Sequence, residues 1–398
     1  MKLQWWYTFT YKFFWPIFNV WLPRKFAYEC ELAKIPHKPY IIVANHSTFW
    51  DAMLVGMSFK EQMFFVASDN VMRAGLSGKA LKFIMNPIIR VKSQNEVRTI
   101  ISIFERLKQS NVCIFSEGTV TPDGETKKVM SSTGKLIKKS GAALVTYRVS
   151  GGYLTYPRWC RFHRKGKLTG KVINVYSAEQ LQTMTAEEVD EAINKDIYVH
   201  AFKDQEKEMI PYRGEKLAEY LETILSCCPQ CKNFSTLASE DDRFFCKCGF
   251  EVRYTEYGFF ELPQGKEGQP TFRTVWEWWQ WQEGIIRETA SRARDLDANT
   301  PIFTDHNQDL YLVTRSKKGD LQGSGTLHLY NNRLSLTAAS GETITFPLET
   351  VLDIAVFGNR VLMFSTREKK SFEIKSVQPT CAIKYKDMVK LLLSAKGT

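Results

Sequence analysis

No apolar run in this 398-residue chain reaches the length of about 18 residues that a membrane-crossing helix needs, so none of it is expected to span a bilayer. The apolar stretch at the N-terminus has no small-residue cleavage site after it, which argues against a signal peptide. Internal repeats are absent. Acidic residues are scarce in the first half. Residues 1–200 hold 28 Lys and Arg against 16 Asp and Glu, whereas residues 201–298 hold 13 against 18 and residues 299–398 hold 13 against 9. The basic excess of the first half suits an anionic membrane, a phosphorylated substrate or a nucleic acid. Cys30, Cys113, Cys160 and Cys381 stand singly, as reduced, buried thiols in a cytosolic setting do. The length calls for two or three domains.

What is abundant is aromatic. Residues 1–28 crowd Trp5, Trp6, Trp15 and Trp21 among Phe and Tyr, with Pro16 in the middle and Arg24-Lys25 near the end. A helix broken at Pro16 would show two short aromatic faces, and the composition fits an element lying in one leaflet. From residue 40 onward, short apolar runs (41–44, 63–67, 87–91, 112–115, 143–149) alternate with helical stretches (51–59, 78–85, 96–109, 135–140). The stretch 96–109 places Val97, Ile100, Ile101, Phe104 and Leu107 at helical spacing. This alternation predicts an α/β domain with a mixed, largely parallel sheet flanked by helices. A pair of strands at 159–163 and 171–176 is expected to extend the sheet as a hairpin, and 185–225 reads as helical with one break at Pro211.

The first of these runs, "IIVANHSTFWDAMLVG", stops at Asn45-His46, and a carboxylate follows at Asp51. Five residues of continuous helix or strand would turn His46 and Asp51 apart. They can meet only if a strand ends near Asn45, a turn follows and a helix starts near Asp51, with Ser47 and Thr48 capping helical N–H groups. A His held by an Asp is a general base of fixed tautomer. No Ser or Cys on a recognisable nucleophile elbow accompanies it, so the base would act directly on a substrate hydroxyl. A second strand end, "VCIFSEGTVTPDG", supplies Glu117, Gly118 and Thr119, with Gly allowing close backbone approach. Between the two, "NPIIRVKS" ends in Arg90 and Lys92, cations suited to a phosphate.

These segments resemble the PlsC family of glycerolipid acyltransferases, the 1-acylglycerol-3-phosphate type. Asn45, His46 and Asp51 match the first motif, Asn-His-x-Ser-x-x-Asp, with Thr48 at the Ser position. Ser116-Glu117-Gly118-Thr119 matches Pro-Glu-Gly-Thr with Ser for Pro. Arg90 and Lys92 are the two candidates for the Arg of the second motif, and "LVTYRVSGG" carries Thr146 in place of the Pro of Val-Pro-Val. The resemblance covers about residues 1–200. It implies that His46, oriented by Asp51, deprotonates the hydroxyl of a lysophospholipid, 1-acyl-sn-glycerol-3-phosphate, which then attacks the thioester of acyl-CoA or acyl-carrier protein. Asn45, Thr48, Arg90 or Lys92, Glu117, Gly118 and Thr119 would bind the acceptor. It also implies a peripheral or monotopic protein on the cytoplasmic face of the membrane, meeting anionic lipids there, with acyl carrier protein as a possible partner. The alternative is a membrane-attached scaffold that keeps the fold without the activity. The run "PRWCRFHRKGK" either faces lipid head groups or is a solvated hairpin.

Residues 226–262 contain "CCPQC" and "CKCG". Cys228, Cys231, Cys246 and Cys248 form two close pairs whose spacing fits a closed, structural zinc site resembling a zinc ribbon, with Cys227 as a bystander. The acids Glu240, Asp241 and Asp242 in the intervening loop argue against nucleic acid as a partner. Residues 263–298 read as a Trp-rich helical connector in which Trp278 and Trp281 share a face with Val275, while Trp276 and Trp279 point elsewhere. From Gly325 short period-two strands lead to a helix over 382–394, a pattern resembling a pleckstrin-homology-like domain within residues 299–398. The acyltransferase domain itself is placed at 29–225, after the aromatic segment 1–28.

Overall fold

Each buried apolar run of the first half becomes a strand. In the computed structural model, which describes residues 2–68, 82–90, 97–313 and 319–394, contacts group the chain into two units. The first comprises Met1–Gly214 with Glu256–Gly258, and the second Glu215–Thr255 with Phe259–Thr398.

The first unit is built on one seven-stranded sheet of order β1-β7-β6-β2-β5-β3-β4. The strands are β1 (Tyr28–Cys30), β2 (Tyr40–Ala44), β3 (Met63–Ser68), β4 (Ile88–Arg90), β5 (Asn111–Ile114), β6 (Ala143–Ser150) and β7 (Leu168–Tyr176). The strands β6, β2, β5, β3 and β4 run parallel, while β7 is antiparallel to β6 and parallel to β1. All five residues of β2 are buried, because helices cover both faces. Ile42 and Ala44 pack with Leu22 and Phe26 of α1 (Lys2–Phe26) and Leu54 and Val55 of α2 (Asp51–Met57). Ile41 and Val43 face the opposite core, with Ile103 and Leu107 of α3 (Val97–Leu107), Ile137 of α4 (Thr133–Ser140) and Val189 and Ile193 of a later helix, Ala186–Ile197. Each of the Ile, Val, Leu and Phe side chains contributes about 1.5–3 kcal/mol on burial.

Several local expectations change. Helix α1 runs unbroken through Pro16. It is pinned before Pro16 by Tyr11 Oη on the Gly56 and Phe59 carbonyls and Trp15 Nε1 on the Gly56 carbonyl, and after it by Leu22 and Phe26, buried in the core, and this packing outweighs the backbone bond that Pro16 removes. Its outer face shows a single ridge, Trp5, Phe9, Phe13, Ile17 and Trp21, four residues apart and all exposed. In α3 the inward stripe is Ile100, Ile103, Phe104 and Leu107, whereas Val97 and Ile101 are exposed. Residues 159–163 form no strand. Trp159 is buried against Tyr153, and Cys160 N–H closes a turn on the Pro157 carbonyl, so β7 pairs with β6 and β1 instead. The 185–225 stretch is two helices, Ala186–Ile197 and Ala201–Glu208, followed by irregular chain and a short 3-10 turn at Leu221–Thr223. The break falls at Tyr198, whose extended backbone ends the first helix well before Pro211. The expected helix at 78–85 is described only at its end, 82–85.

The second unit contains a four-stranded antiparallel sheet of order β11-β10-β9-β8, from β8 (Leu237–Glu240), β9 (Arg243–Cys246), β10 (Glu251–Tyr254) and β11 (Phe260–Glu261). A capping box of Thr274 and Glu277 starts the helix Val275–Ala293. Its buried stripe is Val275, Trp278, Trp279, Gln282 and Ile286, so Trp279 lies inward beside Trp278, contrary to the expected division of the Trp faces. A seven-stranded antiparallel sheet follows, made of β12 (Phe303–Val313), β13 (Asp320–Leu329), β14 (Arg333–Ala338), β15 (Thr343–Pro347), β16 (Val351–Phe357), β17 (Val361–Thr366) and β18 (Ser371–Ser376) in the order β15-β14-β13-β12-β18-β17-β16. Its first strand, β12 (Phe303–Val313), escapes the sequence pattern because polar residues interrupt the alternation. The closing helix Ile383–Ser394 contributes Lys384, which is wholly buried, 2.7 Å from the buried Asp305 of β12 and bonded to Ser235 Oγ. That pair ties the cysteine segment, the β-sheet and the last helix together.

Candidate active site

The bend after β2 brings its polar residues together. Asn45 closes the gap between β2 and β6 past the end of their ladder. Its amide donates to the Val149 carbonyl at 2.9 Å and accepts from Val149 N–H at 2.8 Å. Asp51, the first residue of α2, is fully buried. Its Oδ2 lies 2.8 Å from His46 Nδ1 and accepts from the N–H groups of Ser47 (2.6 Å) and Thr48 (2.9 Å). Ser47 Oγ donates to Oδ1 at 3.3 Å. An ionised carboxylate only accepts, so His46 carries its proton on Nδ1 and leaves the lone pair on Nε2. The imidazole keeps 22% of its side-chain surface exposed, against 0% for Asp51, and its ring stacks on Phe115 at 4.6 Å. A buried anion and three fixed donors therefore orient a base with one open nitrogen.

Glycine 152 permits this bend. A Cβ there would stand 2.2 Å from Ser47 Oγ, so a side chain would displace the residue that donates twice to Asp51.

The turn after β5 grips His46 by its backbone. Glu117 Oε1 accepts from His46 N–H at 2.6 Å, and Thr121 N–H donates to the His46 carbonyl at 2.9 Å. Glu117 Oε2 accepts from Lys127 N–H at 2.8 Å. Desolvation raises Glu117 from 4.5 to about 8, against the lowering effect of the bonds from Lys127 and His46. Gly118 adopts φ +76°, and Arg90 Nη1 lies 3.7 Å from where its Cβ would be. Thr119 Oγ1 accepts from Arg158 Nη1 at 2.9 Å.

His46, Asp51, Asn45, Thr48 and Glu117 thus share one bend, and Arg90 joins Gly118 and Thr119 at the adjoining turn. Lys92 lies outside the described residues. The sequence reading gives Asn45, Thr48 and Glu117 to the acceptor, and here the geometry differs. Asn45 is spent on Val149, Thr48 Oγ1 accepts from Trp50 N–H at 2.7 Å, and both Glu117 oxygens hold backbone N–H groups. Their polar atoms face this chain because the bend needs partners for its own backbone. Phe115, Gly152 and Arg158 carry no linear signal for these contacts.

The second unit brings four cysteines to one point. The Sγ atoms of Cys228, Cys231, Cys246 and Cys248 all lie within 4.8 Å of one another, with Cys228–Cys248 and Cys231–Cys246 each at 3.8 Å. A tetrahedron with arms of about 2.3 Å has edges of about 3.8 Å, so the donor set and spacing fit a metal ion. Cys227 stays apart. Its N–H donates to Gln282 Oε1 and its carbonyl accepts from Trp278 Nε1. Gln282 Oε1 also accepts from Ser226 N–H, and its amide donates to the Ile224 carbonyl, so the helix holds the first cysteine loop in place.

Residues 29–150, which run from β1 through β6, match the family model described as Acyltransferase. Among solved structures, the 1-acyl-sn-glycerophosphate acyltransferase PlsC of Thermotoga maritima is similar at 19% identity, covering 50% of this chain and 78% of that one, with a TM-score of 0.39. The RAN binding domain of the nuclear pore component NUP2 from Ashbya gossypii is similar at 14% identity, covering 25% and 98%, with a TM-score of 0.18. The C-terminal domain of an unknown protein from Leishmania infantum is similar at 14% identity, covering 28% and 98%, also with a TM-score of 0.18. No curated protein matches the chain. The family match supports acyl transfer as the chemistry of the first unit.

Proposed function

We propose that the first unit moves a fatty acyl group from the thioester of acyl-CoA or acyl-carrier protein to the free sn-2 hydroxyl of 1-acyl-sn-glycerol-3-phosphate, giving phosphatidic acid. The observation that carries this is the imidazole of His46, held at Nδ1 by a buried carboxylate beside the ends of parallel strands. Nε2 takes the hydroxyl proton, and the oxygen attacks the thioester carbonyl. The tetrahedral intermediate then collapses, breaking the C–S bond, and the imidazolium returns the proton to the leaving thiolate. Asp51 stabilises the imidazolium in between. Arg90, beside Gly118, takes the acceptor phosphate, and Glu117 positions His46 without touching substrate.

Two further assignments belong to this reading. The ion at Cys228, Cys231, Cys246 and Cys248 is structural zinc, since four thiolates leave no open coordination position. The ridge on α1 seats the protein on the cytoplasmic face of a membrane without crossing it, and no described helix is long and apolar enough to cross one.

The deciding assay mixes purified protein with lysophosphatidate and labelled acyl-CoA or acyl-carrier protein. Product should form in wild type and fall by about 10³-fold in H46A. Absence of product from wild type with both donors sinks the proposal and favours a scaffold.

A further inference from the structure

Both backbone groups of His46 are held by the loop that runs from Glu117 to Lys127. The His46 carbonyl accepts from Thr121 N–H at 2.9 Å, and the His46 N–H donates to Glu117 Oε1 at 2.6 Å. Glu117 is held in turn by Lys127 N–H, 2.8 Å from Oε2. The side chains of Thr121 and Lys127 converge on one carboxyl, that of the wholly buried Asp123. The Thr121 hydroxyl donates to Asp123 Oδ1 at 2.9 Å, and Lys127 Nζ donates to Oδ2 at 2.6 Å. Glu125 N–H adds a bond to Oδ1 at 3.3 Å. The outer side of the loop is anchored separately, by Tyr153 Oη on the Pro122 carbonyl and Ala201 N–H on the Gly124 carbonyl, both at 2.9 Å. A buried carboxylate paired with a lysine adds little net stability over an apolar pair. What this one fixes is the spacing of the two N–H groups that clamp a single peptide.

We propose that Asp123 is a positioning residue for the base. By tying Thr121 and Lys127 to one carboxylate, it fixes the peptide of His46 and so the place from which Nε2 meets the acceptor hydroxyl. This rests on the acyltransferase reading of the same site. Asp51 sets the tautomer of the ring and stabilises its charge, whereas Asp123 sets where the backbone beneath the ring stands. The two effects separate in kinetics. A base that is misplaced keeps its basicity and loses rate, and a shift of about 1 Å can cost about 100-fold.

The test uses the full chain and the variants D123N, K127M, K127R and Y153F, with thermal midpoints measured alongside. D123N keeps an acceptor for Thr121 and takes away the anion that Lys127 meets. It should lower kcat with lysophosphatidate by about tenfold to 100-fold and leave KM within about twofold. K127M should do the same, K127R should recover part of the loss, and the D123N/K127M double variant should be no slower than the slower single one. Should D123N fail to fold, K127M against K127R carries the comparison. The acid limb of kcat against pH should stay where wild type has it, whereas a carboxylate acting on the charge of the ring would move it. Y153F loosens the same loop from its outer side, and should lower the thermal midpoint with little loss of kcat. Hydrogen exchange should be faster in D123N at the amides of His46, Thr121 and Lys127, and unchanged in β2, β5 and β6. Wild-type kcat in D123N, a displaced acid limb, or an equal fall of kcat in Y153F overturns the inference. If wild type transfers no acyl group, the enzymatic reading fails, and the exchange rates alone still decide whether Asp123 holds the His46 peptide.

Discussion

At the scale of single residues, the site depends on which atoms have an alternative partner. Asp51 has none, being buried with four donors around it, and this is what makes His46 a base rather than a turn residue. Glu117 is the second such case, and its titration gives a test. Between about pH 4.5 and 8 the folded chain keeps a proton on Glu117 that the unfolded chain has released. Stability from this group is therefore greatest at low pH and declines as pH rises through that window. E117Q cannot titrate, so its melting midpoint should vary less with pH there than that of wild type. Gln also turns an NH₂ toward one of two N–H donors, at a cost of about 1–3 kcal/mol. Equal pH slopes for the two proteins would refute the account. The pairing of His46 with Asp51 is legible in the sequence, since five residues can unite them only across a bend. The inward turn of Glu117 is not, because a carboxylate at a strand end looks the same whether it faces ligand or backbone.

Elements add what residues cannot supply. The cysteine segment is short and its four strands are small, so their geometry is set from outside. Trp278 and Gln282 of the helix Val275–Ala293 fasten the first cysteine loop, and Lys384 bonds to Ser235 just beyond it. Cysteine spacing alone predicts the metal site, whereas these clamps come from helices about 50 and 150 residues further along the chain. Since metal binding is coupled to folding, purified protein should carry one zinc per chain. Chelation should lower the melting midpoint of the second unit by about 10 °C, a few kcal/mol for a unit of this size. Cobalt substituted for zinc should give the visible bands of a tetrahedral thiolate site, and C231S should lose them. A chain that binds no cobalt, or melts identically with and without metal, contradicts the assignment.

For the whole molecule, charge and apolar surface are distributed along the chain in a way that bears on where it works. The aromatic ridge of α1 and the basic excess both belong to the first half of the sequence. Apolar insertion and attraction to anionic lipid act together but respond differently to salt. Wild type should sediment with vesicles containing phosphatidylglycerol, and added salt should release only part of it. Replacing Trp5, Phe9 and Phe13 together by Ser should remove the salt-resistant fraction. Failure of wild type to sediment, or unchanged binding of the triple variant, would leave the ridge without this role.

By itself the sequence determined the alternation of buried strands and helices, the bend that unites His46 with Asp51, and four thiols spaced for one ion. These follow from periodicity, backbone sterics and short spans of chain, which act locally. Tertiary structure alone decided that Pro16 does not break α1, that β7 rather than residues 159–163 pairs with β6, and that Trp279 faces inward. It also decided that Glu117 holds backbone and that Arg158 reaches Thr119. Each of those depends on which distant surface supplies a partner, and the burial of one contact against another is fixed only when the whole core has closed.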